Sequence, residues 1–173
     1  MAALWSKQEM IVLREYLDAD LDRLVNLANN ENVSRYLVDT FPYPFTKALG
    51  EWWIRTGSKQ NGAITRVIEH EGRFVGSVGI NPQIGWPDHL GEIGYWVAEE
   101  HWGKGIATAA LRLMTDYGFT ARQLRKLYAP VLSPNVASMR VLEKCGYTCE
   151  AILKTEVQKG GIYFDIHHFV QHR

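Results

Sequence analysis

A strand–turn–helix junction in the middle of the chain restricts the possible folds more than any other stretch. The apolar run GEIGYWVA, residues 91–98, predicts a strand, and an amphipathic pattern over residues 105–120 predicts a helix. Gly103 and Gly105 separate them, and glycine lets a backbone turn tightly and approach a ligand closely. The free N–H groups at a helix start, together with the helix dipole, favour an anion. The junction therefore predicts a binding turn for a phosphate-sized group.

The glycine spacing excludes two common phosphate-binding motifs. A Walker loop requires a glycine where this chain has Ala98, and a hydroxyl residue where Gly105 follows Lys104. A dinucleotide fingerprint requires a third glycine where this chain has Thr108. Two interpretations remain open: an anion held by the main-chain amides of the turn, or a structural joint capped within the chain.

The remaining sequence predicts one α/β domain that covers residues 1–173. This length is sufficient for one hydrophobic core, and the chain contains no repeat or linker-like segment. Apolar and turn patterns predict the order β-α-α-β-β-β-α-β-α-β-β with a mixed sheet. Thr46 is expected to begin the second helix, and Glu71-Gly72 to form the first hairpin turn. Residues 91–133 are expected to form a parallel strand–helix–strand crossover.

Composition argues against several classes of partner. Lys plus Arg and Asp plus Glu each number 19, and a net charge of zero argues against nucleic acid or an anionic membrane as the main partner. We find neither a signal peptide nor a run approaching the ~20 apolar residues of a membrane span. Cys145 and Cys149 are too few for a disulfide scaffold, and no second Cys/His pair at zinc spacing accompanies them. The sequence therefore indicates a cytoplasmic protein without a bound metal.

Three motifs together carry a resemblance to a known family. They are GEIGYWVAEEHWGKGIATAAL, the later SPNVASMRVLEKCGY, and the closing GIYFDIHHFV. Together they resemble the GNAT superfamily of N-acetyltransferases, and the early YPFTKALGEWW is typical of its Rim branch, whose namesakes acetylate the N-termini of ribosomal proteins. The similarity runs from about Met10 to Val170. It implies the GNAT fold, a mostly antiparallel twisted sheet of six to seven strands with helices on both faces. It also implies acetyl-CoA as co-substrate and, by family habit, a possible homodimer.

The resemblance assigns the cofactor contacts to the junction and to a later asparagine. In the family the turn binds the pyrophosphate of acetyl-CoA through main-chain amides, which in this chain belong to Gly103, Lys104, Gly105, Ile106, Ala107 and Thr108. The preceding strand splays from its parallel neighbour in the family, so free main-chain groups of Trp96, Val97 and Ala98 are expected to bind the pantetheine arm. Asn135 matches a family asparagine that contacts the cofactor, although it can equally cap the last helix. The Lys104 ammonium either contacts phosphate or remains solvated.

Glu92 is the candidate general base. By strand alternation it shares a face with Gly94 and Trp96. It lies six residues before Ala98, or ~20 Å at ~3.3 Å per residue, about where an extended pantetheine arm would deliver its thioester. An alkyl ammonium with a pKa near ~10.4 must lose a proton before it can attack. Several family members use a glutamate on this strand, whereas a solvated or ion-paired glutamate is the alternative and His89 is a weaker candidate base.

The general acid is less clearly indicated. Many family members use a tyrosine seven residues after the asparagine, and this chain has Leu142 there, so that role does not transfer. Ser138 lies three residues after Asn135 and matches a serine that Rim-type enzymes are thought to place near the thiol. The alternative for Ser138 is a small residue that packs the helix against the sheet.

The acceptor pocket is expected between the first two helices and the late hairpin. The aromatic candidates for its walls are Phe41, Tyr43, Phe45, Trp52 and Trp53. Packing between helices and sheet explains these residues equally well. No acidic cluster indicates a polyamine site, so the expected acceptor is a peptide N-terminus or a small primary amine. A non-catalytic acyl-CoA sensor of the same fold is the alternative function, and a redox domain lacks an acidic partner for a ribose hydroxyl.

Overall fold

The computed structural model describes residues 4–6, 11–37, 39 and 41–173, and only the main chain of residues 4–6. Met10, where the resemblance begins, lies outside the described residues. The described strands are β1 Leu4–Ser6, β2 Ile11–Arg14, β3 Ile64–His70, β4 Arg73–Pro82, β5 Leu90–Val97, β6 Lys126–Leu132, β7 Thr148–Lys159 and β8 Ile162–His172. The described α-helices are α1 Leu21–Ala28, α2 Glu31–Ser34, α3 Lys47–Arg55, α4 Ile106–Thr120 and α5 Val136–Lys144.

The eight strands form one sheet in the order β1-β2-β3-β4-β5-β6-β8-β7. Neighbouring strands in this sheet are antiparallel except β5 and β6, which are parallel and are connected through α4. The predicted α/β fold with a mixed, mostly antiparallel sheet is therefore confirmed. The patterns missed β1 and α2, because segments of three and four residues are too short to show a hydrophobic period.

Local sequence signals place the ends of several elements. The Thr46 hydroxyl accepts a hydrogen bond from the Leu49 N–H at 3.2 Å and so caps the start of α3, as predicted. Glu71 and Gly72 form the β3–β4 turn with φ values of 51° and 72°. Helix α4 begins directly after Gly105, as the junction predicts.

The two faces of β5 pack against different helices. Ile93 and Val97 belong to the core that also contains the buried face of α4. Trp96 packs on the other face with the core of α1 and α3, and its ring centroid lies 5.3 Å from Phe41 and 6.1 Å from Phe74. The predicted alternation along β5 is confirmed, and Glu92 shares the Trp96 face by strand geometry.

Candidate active site

The parallel pair β5–β6 opens partway along its length. Its paired residues end at Glu92 and Tyr128, while β5 remains paired with β4 up to Val97. Beyond Glu92, β6 instead continues beside β8 as far as Leu132. The two strands therefore enclose an open wedge, in agreement with the splay that the resemblance implies.

Strand parity decides which main-chain groups face this wedge. The Ala98 N–H donates to the Val75 oxygen at 2.8 Å, and the Leu90 oxygen accepts from the Gln83 N–H at 3.0 Å, with a constant register between them. In an antiparallel pair, alternate residues direct their N–H and C=O groups to the neighbouring strand. Even-numbered residues of β5 therefore direct these groups to β4.

The prediction for the pantetheine contacts changes accordingly. The main-chain groups of Trp96 and Ala98 are directed away from the wedge, so the expectation for these two residues is wrong. The main-chain groups of Val97 are directed toward the wedge, so its expected role stays a prediction, and Tyr95, which sequence reasoning missed, has the same orientation. The Val97 oxygen also accepts a hydrogen bond from the Trp102 indole at 2.7 Å, which fixes the start of the turn. The period of two along the strand, combined with a known register, was the signal that could have found Tyr95.

The glycine turn presents six main-chain N–H groups in succession. Gly103 and Gly105 have φ values of 74° and 76°, a region that glycine adopts without strain. The first bond of α4 runs from the Ala109 N–H to the Gly105 oxygen at 3.0 Å. In the described part of the chain, the N–H groups of residues 103–108 bond to no protein acceptor. The exposed Lys104 ammonium donates to the Glu100 oxygen at 3.0 Å.

Two cavities meet beside the wedge. The larger, about 410 Å³, runs along the glycine turn and is lined by residues 103–108 and Val97. The smaller, about 230 Å³, lies beside Glu92. Residues that line both cavities are Tyr36, Leu37, Tyr95, Trp96, Asn135 and Ser138. Because the two cavities adjoin at these shared residues, a molecule bound at the turn can extend from the larger cavity into the smaller one.

Glu92 lies in the wall of the smaller cavity, at the base of the wedge. Burial raises the pKa of Glu92 above its ordinary value of 4.5, and a hydrogen bond with the Tyr128 hydroxyl opposes the rise. The Tyr128 hydroxyl also accepts from the Gln83 amide at 2.8 Å, and its ring stacks on His168 with centroids 5.0 Å apart. His89, the weaker candidate base, is exposed and lines neither cavity.

Ser138 and Tyr95 form a hydroxyl pair where the two cavities meet. Their oxygens lie 2.9 Å apart, and the Tyr95 hydroxyl is also 3.1 Å from the Ser138 main-chain oxygen, to which it can donate. Burial raises the pKa of Tyr95, and the hydrogen bond with Ser138 partly offsets this rise. The Asn135 side-chain oxygen accepts from the Ser138 N–H at 3.2 Å and caps α5. Leu142, at the family tyrosine position, is fully buried in the core.

The acceptor-side predictions divide into two groups. Phe41 and Trp53 line the smaller cavity, as does Phe45. Tyr43 and Trp52 are 54% and 43% exposed and do not line it, so the prediction for these two is wrong. They belong to a loop and to the outward face of α3. The lining residues that sequence reasoning missed include Tyr36, Leu37, Leu49 and Asn81. A helical period was a usable signal for Leu49, which precedes Trp53 by four residues.

Neither metal-ligand clusters nor membrane-spanning helices occur in the part of the chain that the structure describes. No three His, Cys, Asp or Glu side chains among these residues are grouped so that they could hold a metal ion. None of the described helices has both the length and the apolar character that crossing a bilayer requires.

An open parallel strand pair beside an amide-lined turn is the arrangement that defines acetyltransferases of the GNAT class. The chain belongs to this family: the model of the acetyltransferase (GNAT) domain matches residues 11–148. Its structural neighbours include Mycobacterium smegmatis RimJ in complex with CoA-disulfide, with a TM-score of 0.84 and 28% identity over 99% of this chain and 86% of that one. The predicted membership of the GNAT family is thus confirmed, and a Rim-type enzyme is among the neighbours.

Two sequence relatives differ in how much of their length is matched. The uncharacterized protein YkkB of Bacillus subtilis is 41% identical over 100 residues, which are 56% of this chain and 58% of YkkB. This match thus spans less than two thirds of its relative. The spermidine N(1)-acetyltransferase of Escherichia coli strain K12 is 31% identical over 153 residues, 88% of this chain and 81% of that protein.

Proposed function

We propose that the protein is a cytoplasmic acetyl-CoA-dependent N-acetyltransferase, contained in one domain, that acetylates a primary amine on a small molecule or a peptide N-terminus. One observation carries this proposal: a turn with six unbonded N–H groups leads along an open strand to a cavity walled by a partly buried carboxylate. The CoA-disulfide bound by RimJ supports the choice of cofactor.

The turn and the wedge bind different parts of the cofactor. The diphosphate lies against the amides of residues 103–108, where several N–H dipoles and the start of α4 favour negative charge. The pantetheine arm lies in the wedge and bonds to main-chain groups of Tyr95 and Val97. Asn135 lines both cavities and uses its side-chain oxygen as the cap of α5, so its amide nitrogen is the group that donates to the arm. The thioester then lies where the two cavities meet.

The acetyl transfer uses side chains from the shared wall. Glu92 accepts a proton from the ammonium of the acceptor, and the neutral nitrogen attacks the thioester carbonyl carbon. A main-chain N–H of β5 stabilises the oxyanion of the tetrahedral intermediate. The C–S bond then breaks, and the Ser138 hydroxyl, held by Tyr95, protonates the departing thiolate. The second amine proton passes to the Ser138 oxygen and restores its hydroxyl, while Glu92 releases the first proton to solvent. The products are an acetamide, CoA with a free thiol, and one proton.

The experiment measures free thiol released from acetyl-CoA across a panel of primary amines and short peptides. We expect amine-dependent turnover, and a fall of roughly 10²- to 10⁴-fold in kcat/KM for Glu92→Gln. Glu143→Gln, at an exposed site on α5, is the matched control and is expected to keep full activity. Stabilisation by acetyl-CoA with no turnover of any amine would instead identify a non-catalytic acyl-CoA sensor.

A stability measurement separates lost chemistry from lost folding. Because burial raises the pKa of Glu92, the native state binds more protons than the unfolded state between its ordinary value of 4.5 and the raised value. Wild-type stability therefore decreases as the pH rises through this window, and the deficit persists above it. We expect Glu92→Gln to melt at a higher temperature than the wild type at pH 7–8, with the difference vanishing below pH 4.5. Equal or lower melting at pH 8 would contradict the buried carboxylate.

A further inference from the structure

The smaller cavity contains very little charge. Of its lining residues in the described part of the chain, Glu92 alone has a carboxyl, amine, guanidinium or imidazole side chain. One polar lining group is already committed, since the Ser77 hydroxyl donates to the Arg66 main-chain oxygen at 2.9 Å. A cation in an apolar environment is costly unless it is paired. The cavity therefore offers an ionic partner to one ammonium group.

One wall of the smaller cavity is aromatic and aliphatic. Phe41 lies between Phe45 and Trp96, with ring centroids 5.1 and 5.3 Å away. Leu49 and Trp53, one turn apart on α3, extend this surface along the cavity. Such a wall stabilises an apolar group by removing it from water, at roughly 25 cal/mol per Å² buried. The side chains of this wall offer an ammonium group no hydrogen-bond acceptor, because their only polar atoms are the indole N–H groups of Trp53 and Trp96, which donate.

The aromatic side chains leave space that a packed core would fill. Protein interiors contain few voids larger than a water molecule, yet about 230 Å³ lies between this wall and Glu92. Pockets for drug-sized ligands occupy about 300–1,000 Å³, so this one suits a smaller group. The space therefore fits one amine and a compact apolar substituent.

The last hairpin holds part of the wall in place. The Lys159 ammonium, at the end of β7, donates to the main-chain oxygens of Ser34 and Leu37. The Ser34 contact is 3.0 Å. This contact holds the segment that carries Tyr36 and Leu37, both of which line the cavity. Lys159 thus connects the last hairpin to a segment of the cavity lining.

From this geometry we infer that the acceptor is a primary amine with a single positive charge and an aromatic or branched apolar group close to the nitrogen. The inference rests on the proposed acetyltransferase function and narrows its substrate. It separates this chain from its relative that acetylates spermidine, a molecule with three amines, because the smaller cavity offers an ionic partner to only one of them. A free arylalkylamine and a peptide with an N-terminal phenylalanine share the required chemistry.

The test compares kcat/KM for four acceptors with the full-length protein and saturating acetyl-CoA. They are 2-phenylethylamine, ethylamine, spermidine, and a short uncharged peptide with N-terminal phenylalanine. We expect 2-phenylethylamine to exceed both ethylamine and spermidine by about 10- to 200-fold, the range that an apolar pocket provides. The peptide arm distinguishes the sources: comparable use of the peptide identifies N-termini, and its rejection identifies small amines.

A charge placed in the wall tests the location of the acceptor. Leu49→Asp adds a second carboxylate at the third position of α3, where an acidic residue suits the helix dipole. We expect it to shift the ratio of spermidine to 2-phenylethylamine turnover about tenfold toward spermidine. Ala48→Asp adds the same charge to the same helix on an exposed site outside the cavity, and is expected to leave the ratio unchanged. Stabilisation by acetyl-CoA in both variants confirms that they fold.

Each outcome bears on a different statement. Turnover of spermidine equal to or above that of 2-phenylethylamine overturns the apolar monoamine while leaving the acetyltransferase intact. Equal ratios in the Leu49 and Ala48 variants overturn the assignment of this cavity to the acceptor. No turnover of any amine, with acetyl-CoA still bound, overturns the proposed function and this inference with it.

Discussion

The two sides of the candidate site are built from different parts of the chain. On the cofactor side, the main-chain groups proposed to bind acetyl-CoA come from one continuous stretch, from Tyr95 through the glycine turn to Thr108, and Asn135 adds one side-chain amide. The acceptor side consists of residues drawn from α1, α3, α5 and the strands β3 to β6, and from the loops between them. An N–H group is the same in almost every residue, whereas the shape of a side-chain wall changes with each substitution. Substitutions can therefore change which acceptor is bound while the cofactor side continues to bind the same cofactor.

The first test of this comparison changes the backbone of the cofactor side. Gly105→Val forces a branched residue to a φ of 76° and is expected to rotate the N–H groups away from their common target. We expect the KM for acetyl-CoA to rise about 100-fold, a loss near 2.7 kcal/mol. The measurement is a titration of thiol release together with thermal stabilisation by acetyl-CoA.

Gly85→Val provides the matched control, because Gly85 has a φ of 85° in the β4–β5 loop and open space around it. It introduces similar backbone strain outside both cavities, so acetyl-CoA is expected to stabilise it as it does the wild type. An unchanged KM in Gly105→Val would show that the turn does not hold the cofactor.

A substitution in the wall that both cavities share is expected to have an intermediate effect on turnover. Tyr95→Phe removes the hydroxyl that lies 2.9 Å from the Ser138 hydroxyl while keeping the ring. Without the Tyr95 hydroxyl, the Ser138 hydroxyl is held less firmly as the general acid. We therefore expect kcat to fall about tenfold, with little change in the KM for acetyl-CoA or for the amine. Single-turnover measurements of thiol release separate this step from product release.

Tyr147→Phe is the corresponding control, since this buried hydroxyl bonds to Thr115 at 2.8 Å and lines neither cavity. It is expected to cost about 1 kcal/mol of stability and to keep its kcat. Equal kcat values in both variants would remove Tyr95 from the acid step.

The accuracy of the sequence predictions follows the same division. The turn, α4 and the alternation along β5 depend on neighbouring residues, and a pattern of period two or 3.6 is enough to predict them. The error at Trp96 and Ala98 arose because strand parity depends on the register with β4, which no local pattern contains. Tyr43 and Trp52 were misplaced for a related reason: an aromatic residue near a pocket faces inward or outward according to packing between distant segments.

The smallest expected effect concerns the support of the acceptor wall. Thr46→Ala removes the cap of α3 and is expected to cost about 1 kcal/mol of stability. Helix α3 carries Leu49 and Trp53 but no part of the turn, so loosening its first turn is expected to raise the KM for the amine by a few fold. Stabilisation by acetyl-CoA should remain unchanged.

Thr120→Ala is the matched control and changes the C-terminal end of α4, the helix that follows the glycine turn. The Thr120 hydroxyl donates to the Asp116 main-chain oxygen at 2.6 Å. Because this bond lies a whole helix away from the glycine turn, neither KM is expected to change. If Thr46→Ala instead weakened acetyl-CoA binding as much as amine binding, the two sides would be coupled through α3. The acceptor wall could then not vary independently of the cofactor turn.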